Sequence, residues 1–160
     1  MKKLLQTNKG FTLIEILLVV AAIAILAGIV ILAINPAKQL GDTRNAQRRS
    51  DVTTILNAVH QYAIDNNGNF PSGIDTITGA SQILGTATVG CDTSCTATTT
   101  VASCVDLSSA LVPTYIVSIP HDPTLGTSTI THYYINKRSD GRITVGACEP
   151  EQGAIMSVSR

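Results

Sequence analysis

Phe11 to Ile34 reads FTLIEILLVVAAIAILAGIVILAI, twenty-four residues in which only Thr12, Glu15 and Gly28 are not Ala, Val, Ile, Leu or Phe. About 20 apolar residues in a helix rise roughly 30 Å, the thickness of a bilayer's hydrocarbon core. The run is therefore long enough to cross a membrane. It also explains the composition of the whole 160-residue chain, which is 44% hydrophobic and only 14% charged, against about 25% charged in an average soluble domain. The residues after Ile34 hold most of the charge and read as a single water-exposed head, so repeat arrays, multidomain enzymes and disordered charged chains are excluded.

The flanks orient the run. Lys2, Lys3 and Lys9 precede it and no acid does, so the positive-inside rule puts the N-terminus in the cytoplasm and the head outside. Lys38, Arg44, Arg48 and Arg49 on the far side weaken that vote. The four cysteines, Cys91, Cys95, Cys104 and Cys148, all lie in the head, as expected for two disulfides made in an oxidising compartment. A secretory signal peptide fits poorly, because its apolar core is only about 7 to 15 residues and ends in a small-residue cleavage site. An ordinary anchor leaves Glu15 unexplained. A carboxylate inside an apolar segment costs a few kcal/mol near the bilayer centre and is by default functional, and it requires a cation that the nearby chain does not supply.

The junction Lys9-Gly10-Phe11-Thr12-Leu13-Ile14-Glu15 resembles the class III leader of type IV pilins and their pseudopilin relatives. In that family a prepilin peptidase cuts after the glycine and N-methylates the new first residue. The resemblance implies that Gly10 ends the leader, that Phe11 becomes the methylated N-terminus, and that Glu15 meets the N-terminal ammonium of a neighbouring subunit. A paired carboxylate at one defined depth would act as a register mark, since a wrongly staggered subunit would strand a charge in hydrocarbon. Loss of Lys2, Lys3 and Lys9 with the leader leaves 8 of 11 basic side chains against 11 acidic ones, a net charge of −3. The expected organisation is a leader at 1–10, a membrane or filament-core helix at 11–34, an amphipathic stem at 35–71 and a head at 72–160.

Beyond the apolar run, Gly28, Pro36 and Gly41 mark an expected bend, and the family's stems can lose helix in this region on assembly. From Asp42 to Asn67 the apolar residues Ala46, Val52, Ile55, Leu56, Val59, Tyr62 and Ala63 recur mostly at spacings of three and four, which predicts an amphipathic helix. Asp42 is the expected cap, and Asn66-Asn67-Gly68 followed by Phe70-Pro71 the expected stop. A stem helical from 11 to 67 would span roughly 85 Å at about 1.5 Å per residue. Arg44, Arg48 and Arg49 read as a solvated face, or as partners of Asp42 and Asp51, rather than as a nucleic-acid patch, because no aromatics interleave for base stacking. The run from Ala46 to Pro71 also resembles the family's stem-to-head junction.

Ser72 to Ser103, rich in Thr, Ser, Gly and Ala, reads as loop with at most one short element. Val105 to Ile119 reads as a short helix. Ile130–Asn136 and Arg142–Cys148 alternate as strands around Asp140-Gly141, a hairpin signal, and Ala154–Val158 offers a third strand. The expected fold class is α+β, a long helical stem packed on a small antiparallel sheet, the pilin fold. Four cysteines allow three connectivities. The resemblance to the disulfide-bounded loop near the C-terminus of many pilins favours Cys91 with Cys95 and Cys104 with Cys148. Zinc fits this cysteine spacing badly.

A segment resembling 111–123 occurs in pseudopilins, where a following loop binds calcium. Asp122 is present here, but Thr124 to Thr131 contains no acid, which argues against calcium. His60, His121 and His132 are scattered over different elements. No phosphate loop, nucleophile elbow or His-Glu-x-x-His is present, so the chain is expected to be a substrate of processing enzymes and not an enzyme, with no cofactor. The resemblance implies a homo-oligomeric filament, a prepilin peptidase, an inner-membrane platform and an assembly ATPase as partners. The precursor would sit in the cytoplasmic membrane and the product in a surface pilus. The alternatives are a pseudopilin of type II secretion or competence and a membrane-anchored binding protein.

Overall fold

A computed structural model describes residues 10–160 apart from 75, 77 and 78; the leader lysines lie outside the described residues. The chain divides into two compact units, one through Gln39 and one from Leu40 onward.

The first unit is dominated by α1 (Leu13–Ile34). Thr12 caps it, its hydroxyl accepting from the Glu15 amide at 3.3 Å, and Glu15 places negative charge in the first turn, where the helix dipole favours it. Every residue of α1 is exposed, and the helix is long and apolar enough to cross a membrane. Gly28 lies inside α1 without interrupting it. The break falls instead at Asn35, which adopts the left-handed conformation at φ 46°. Asn35 also starts the next helix, its Oδ1 accepting from Lys38 N at 3.3 Å, while Pro36 takes the first helical position, where a missing N–H costs nothing.

Helix α2 (Pro36–Asp65) therefore begins six residues before the Asp42 cap expected from the sequence. Its end matches expectation: Asn67 and Gly68 take positive φ, and Gly68 N donates to Ala63 O at 2.7 Å. The buried stripe within the second unit runs Gly41, Asn45, Arg48, Val52, Ile55, Leu56, Val59 and Ala63. Ala46, expected on the apolar face, is exposed, and the lower half of the stripe is small or polar.

Against the apolar half of that stripe packs a four-stranded antiparallel sheet in the order β1 (Gln82–Ile83), β2 (Tyr133–Lys137), β3 (Ile143–Ala147), β4 (Ser157–Ser159). Alternation sorts its side chains. Tyr133, Ile135, Ile143, Val145 and Ala147 join Val52, Ile55, Leu56 and Val59 in the main core. Tyr134 points to the other face, into a second cluster with Ile83, Cys91 and Cys148. Tyr134 pairs with Gly146, and a Cβ at Gly146 would run into the tyrosine ring. The hairpin between β2 and β3 turns where expected, with Gly141 at φ 85° and Gly141 N donating to Arg138 O at 2.9 Å. Segment 99–105 shields the outer edge of β1 through parallel bridges Ser81–Thr100 and Leu84–Val105. The helix expected from Val105 to Ile119 is reduced to α3 (Ser108–Leu111), because Pro113 cannot donate to a further turn. The last strand starts later than expected because its register sets Ser157 opposite Gly146 and β3 ends at Ala147, which leaves Ala154 and Ile155 with no β3 residue to pair with.

Both disulfides form, but not in the favoured pairing: the bonds are Cys91–Cys104 and Cys95–Cys148. Backbone bonds decide this. Cys91 N donates to Ala102 O at 3.0 Å and Cys104 N to Ala87 O at 2.9 Å, which lays the two cysteines across from each other. Cys95 is half-buried and packs against the cluster that holds Cys148, and Thr96 Oγ1 donates to Cys148 O at 3.1 Å. Because Cys95 lies between Cys91 and Cys104 in the chain, the two closed loops overlap along the sequence.

Candidate functional site

Two groups of residues stand out for chemistry. The first is the start of α1. Gly10 and Phe11 are exposed and precede the helix, and Thr12 is extended at ψ 152°. The peptide bond between Gly10 and Phe11 is thus free of helical hydrogen bonds, as a protease requires. Glu15 sits three residues after the cap, and its carboxylate makes no hydrogen bond or ion pair to any described residue. Cleavage at this bond would create an α-ammonium four residues away, a cation of the kind Glu15 lacks. Gly28 and Pro36 lie further along, with only Pro36 at a helix boundary.

The second group is a buried ion network in the head that the sequence reading did not foresee. Arg48 has no exposed surface, and every one of its five N–H bonds has an acceptor. Nε donates to Asp122 Oδ2 at 2.6 Å and Nη2 to Asp122 Oδ1 at 3.1 Å and Thr124 Oγ1 at 2.9 Å. Nη1 donates to Asn45 Oδ1 at 3.1 Å and Glu151 Oε2 at 3.2 Å. Arg44 closes on Glu151 through both Nε and Nη2. Asn45 brackets the Glu151 backbone, donating to its carbonyl at 2.9 Å and accepting from its amide at 3.0 Å.

Electrostatics follow from these contacts. Burial by itself would raise the Asp122 carboxyl, but the Arg48 fork, the Thr124 hydroxyl and the backbone amides of Thr124 and Leu125 hold it down to about 2. Burial likewise opposes charge on Arg48, and Asp122 and then Glu151 overcome it, raising the guanidinium above its ordinary value. Hydrogen bonding from Arg44, against some desolvation, lowers Glu151. Nearby, the Tyr133 hydroxyl donates to Asp51 at 2.8 Å; burial and this bond both push the phenol up.

Arg44 and Arg48 are therefore neither a solvated face nor partners of Asp42 and Asp51, whereas Arg49 is exposed, as expected. Arg48 was readable from spacing: it lies four residues before Val52 and seven before Ile55, on the core stripe. Asp122 is committed to Arg48 and to its own loop, and no group of three or more metal-ligating His, Cys, Asp or Glu side chains occurs among the described residues.

Residues 5–31 match the family described as the prokaryotic N-terminal methylation motif. That match takes in Gly10, Phe11 and Glu15 and most of α1. None of the curated proteins and none of the solved structures matches the chain.

Proposed function

We propose that this chain, which carries the class III prepilin leader of type IV pilins and pseudopilins and is a structural subunit rather than an enzyme, builds a type IV pilus. The proposed order of events starts in the membrane, with α1 as the anchor and the head outside. Prepilin peptidase cuts after Gly10 and N-methylates Phe11, releasing the leader at 1–10. An inner-membrane platform and its ATPase then move the subunit into a filament, where 11–34 forms the core, 35–71 the stem and 72–160 the outer head. No cofactor and no nucleic acid take part.

One observation carries this reading: an apolar helix exposed along its whole length begins three residues after Gly10 and holds one carboxylate without a partner among the described residues. In lipid or in a filament, the α-ammonium of an adjacent Phe11 supplies the missing charge at one axial position only. Gly28 and the Asn35–Pro36 break are where the stem would yield on assembly.

The test is mass spectrometry of the N-terminal peptide from filaments sheared off the producing cells. N-methylated Phe11 as the first residue of abundant sheared material supports the pilus. The same peptide confined to the envelope points to a pseudopilin, and a chain still beginning at Met1 there refutes processing altogether.

A further inference from the structure

We propose that heads of adjacent subunits join by a heterologous contact across the two edges of the sheet, with Ile155 of one copy entering the cavity beside β1 of the next and Arg49 meeting Asp106 at its rim. This rests on the filament reading above and names the partner surface within it.

The cavity is about 260 Å³ and is walled by Leu84, Val105, Leu107, Val112 and Ile119, with the exposed Asp106 also lining it. It lies on the β1 side of the sheet, where Leu84 continues the strand and bridges to Val105. At the opposite edge, just before β4, Ile155 is 91% exposed, more than any other large apolar residue among the described residues. Arg49 and Thr53 of α2 line, together with Ile155, a groove of about 280 Å³. A knob and a hole on opposite edges of one sheet cannot satisfy each other within a molecule.

Charge supports the pairing. The Arg49 guanidinium is exposed and makes no hydrogen bond or ion pair to any described residue, in contrast to Arg44 and Arg48. Asp106 is also exposed and only accepts from the amide of Ser108 at 2.8 Å. Opposite unpaired charges beside complementary apolar shapes fix both register and direction. Two different patches, one per edge, make a head-to-tail contact that leaves a free knob and a free hole at each step, which propagates into a helical filament instead of closing as a dimer. A burial of this kind at a contact's centre carries most of its energy.

The experiment uses the full-length chain in cells that assemble it. Ser118 is exposed at the cavity wall, and all four native cysteines are in disulfides, so Ile155→Cys with Ser118→Cys tests the contact directly. The expected result is a ladder of multimers on non-reducing gels of sheared filaments, absent from either single variant. Separately, Arg49→Glu and Asp106→Arg alone should each lower filament yield several-fold, and the pair should restore most of it. Wild-type filaments with no ladder in the double-cysteine chain, or dimers only from Ile155→Cys alone, would overturn the contact while leaving the pilus reading intact. A processed wild-type chain that never forms a filament would overturn both.

Discussion

Asp122→Asn should be among the most damaging single substitutions in the head. The structure gives the reason and the size. Arg48 is fully buried and Asp122 is 1% exposed, and the carboxylate takes two of the five guanidinium N–H bonds while also accepting from Thr124 and Leu125. Asparagine keeps one acceptor and turns an NH₂ toward the guanidinium. The loss is at least one charge-assisted hydrogen bond, about 1.5–3 kcal/mol, and the stranding of a buried cation brings the expected total to about 3–5 kcal/mol. Glu151 remains within reach of Arg48 but is itself shared with Arg44, which keeps the expected cost near the lower end. The folded Asp122 value of about 2 lies below its ordinary 3.8, so its contribution is complete above about pH 4 and is lost as pH falls through about 2. That difference is worth roughly 2 kcal/mol. Urea denaturation of the full chain in detergent, followed by tyrosine circular dichroism, reads both effects. Wild type should weaken by roughly that amount between pH 4 and pH 2, and Asp122→Asn should lose that component of the acid limb. A neutral-pH cost under about 1 kcal/mol, or unchanged acid sensitivity in the variant, would refute the reasoning.

Gly10→Val should leave the precursor at full length, since a side chain at the residue before the cut obstructs the peptidase; a shortened product on a gel would remove Gly10 from that role. Glu15→Ala should be processed normally yet reduce sheared filament at least tenfold, because subunits then lack a charged register mark; unchanged yield would eliminate it. Non-reducing peptide mapping should recover Cys91 joined to Cys104 and Cys95 joined to Cys148. Replacing the second pair by serine should cost up to about 4 kcal/mol in the chain-entropy account, against roughly 3 for the shorter loop. Recovery of a Cys91–Cys95 peptide would contradict this pairing.

The features that depend on one-dimensional pattern were readable. The unbroken apolar run gave α1, the asparagine-glycine stop ended α2, and alternation around Asp140-Gly141 gave the hairpin. What escaped depended on three-dimensional pairing. Arg48 was placed in solvent by residue type, although its spacing from Val52 and Ile55 put it on the buried stripe; a charge can occupy such a position only when acceptors arrive from elsewhere, and Asp122 and Glu151 lie 74 and 103 residues away. The cysteine pairing failed for a related reason. The resemblance favoured Cys91 with Cys95, but the backbone bonds Cys91 N to Ala102 O and Cys104 N to Ala87 O set Cys91 beside Cys104 instead. The start of α2 was misjudged because Asp42 is a good cap in isolation, while Asn35-Pro36 is a better one and lies earlier.

The two helices solve opposite problems. Helix α1 exposes fifteen large aliphatic side chains, and at about 1.5–3 kcal/mol for burying each the uncovered surface is worth tens of kcal/mol, more than the roughly 5–15 kcal/mol by which a whole domain is stable. Lipid or other copies of the chain have to cover it. Apolar burial is non-directional, however, so α1 surfaces packed together would tolerate many staggers. A unique filament then requires polar marks at places where a wrong stagger leaves charges unmatched. Glu15 can provide one such mark inside the apolar layer. Arg49 on α2 and Asp106 beside the β1 cavity, neither in an ion pair among the described residues, can provide a second at the surface. Arg48, with all its hydrogen bonds spent inside the head, cannot serve, and it instead holds the Asp122 loop and the Glu151 turn rigidly against α2.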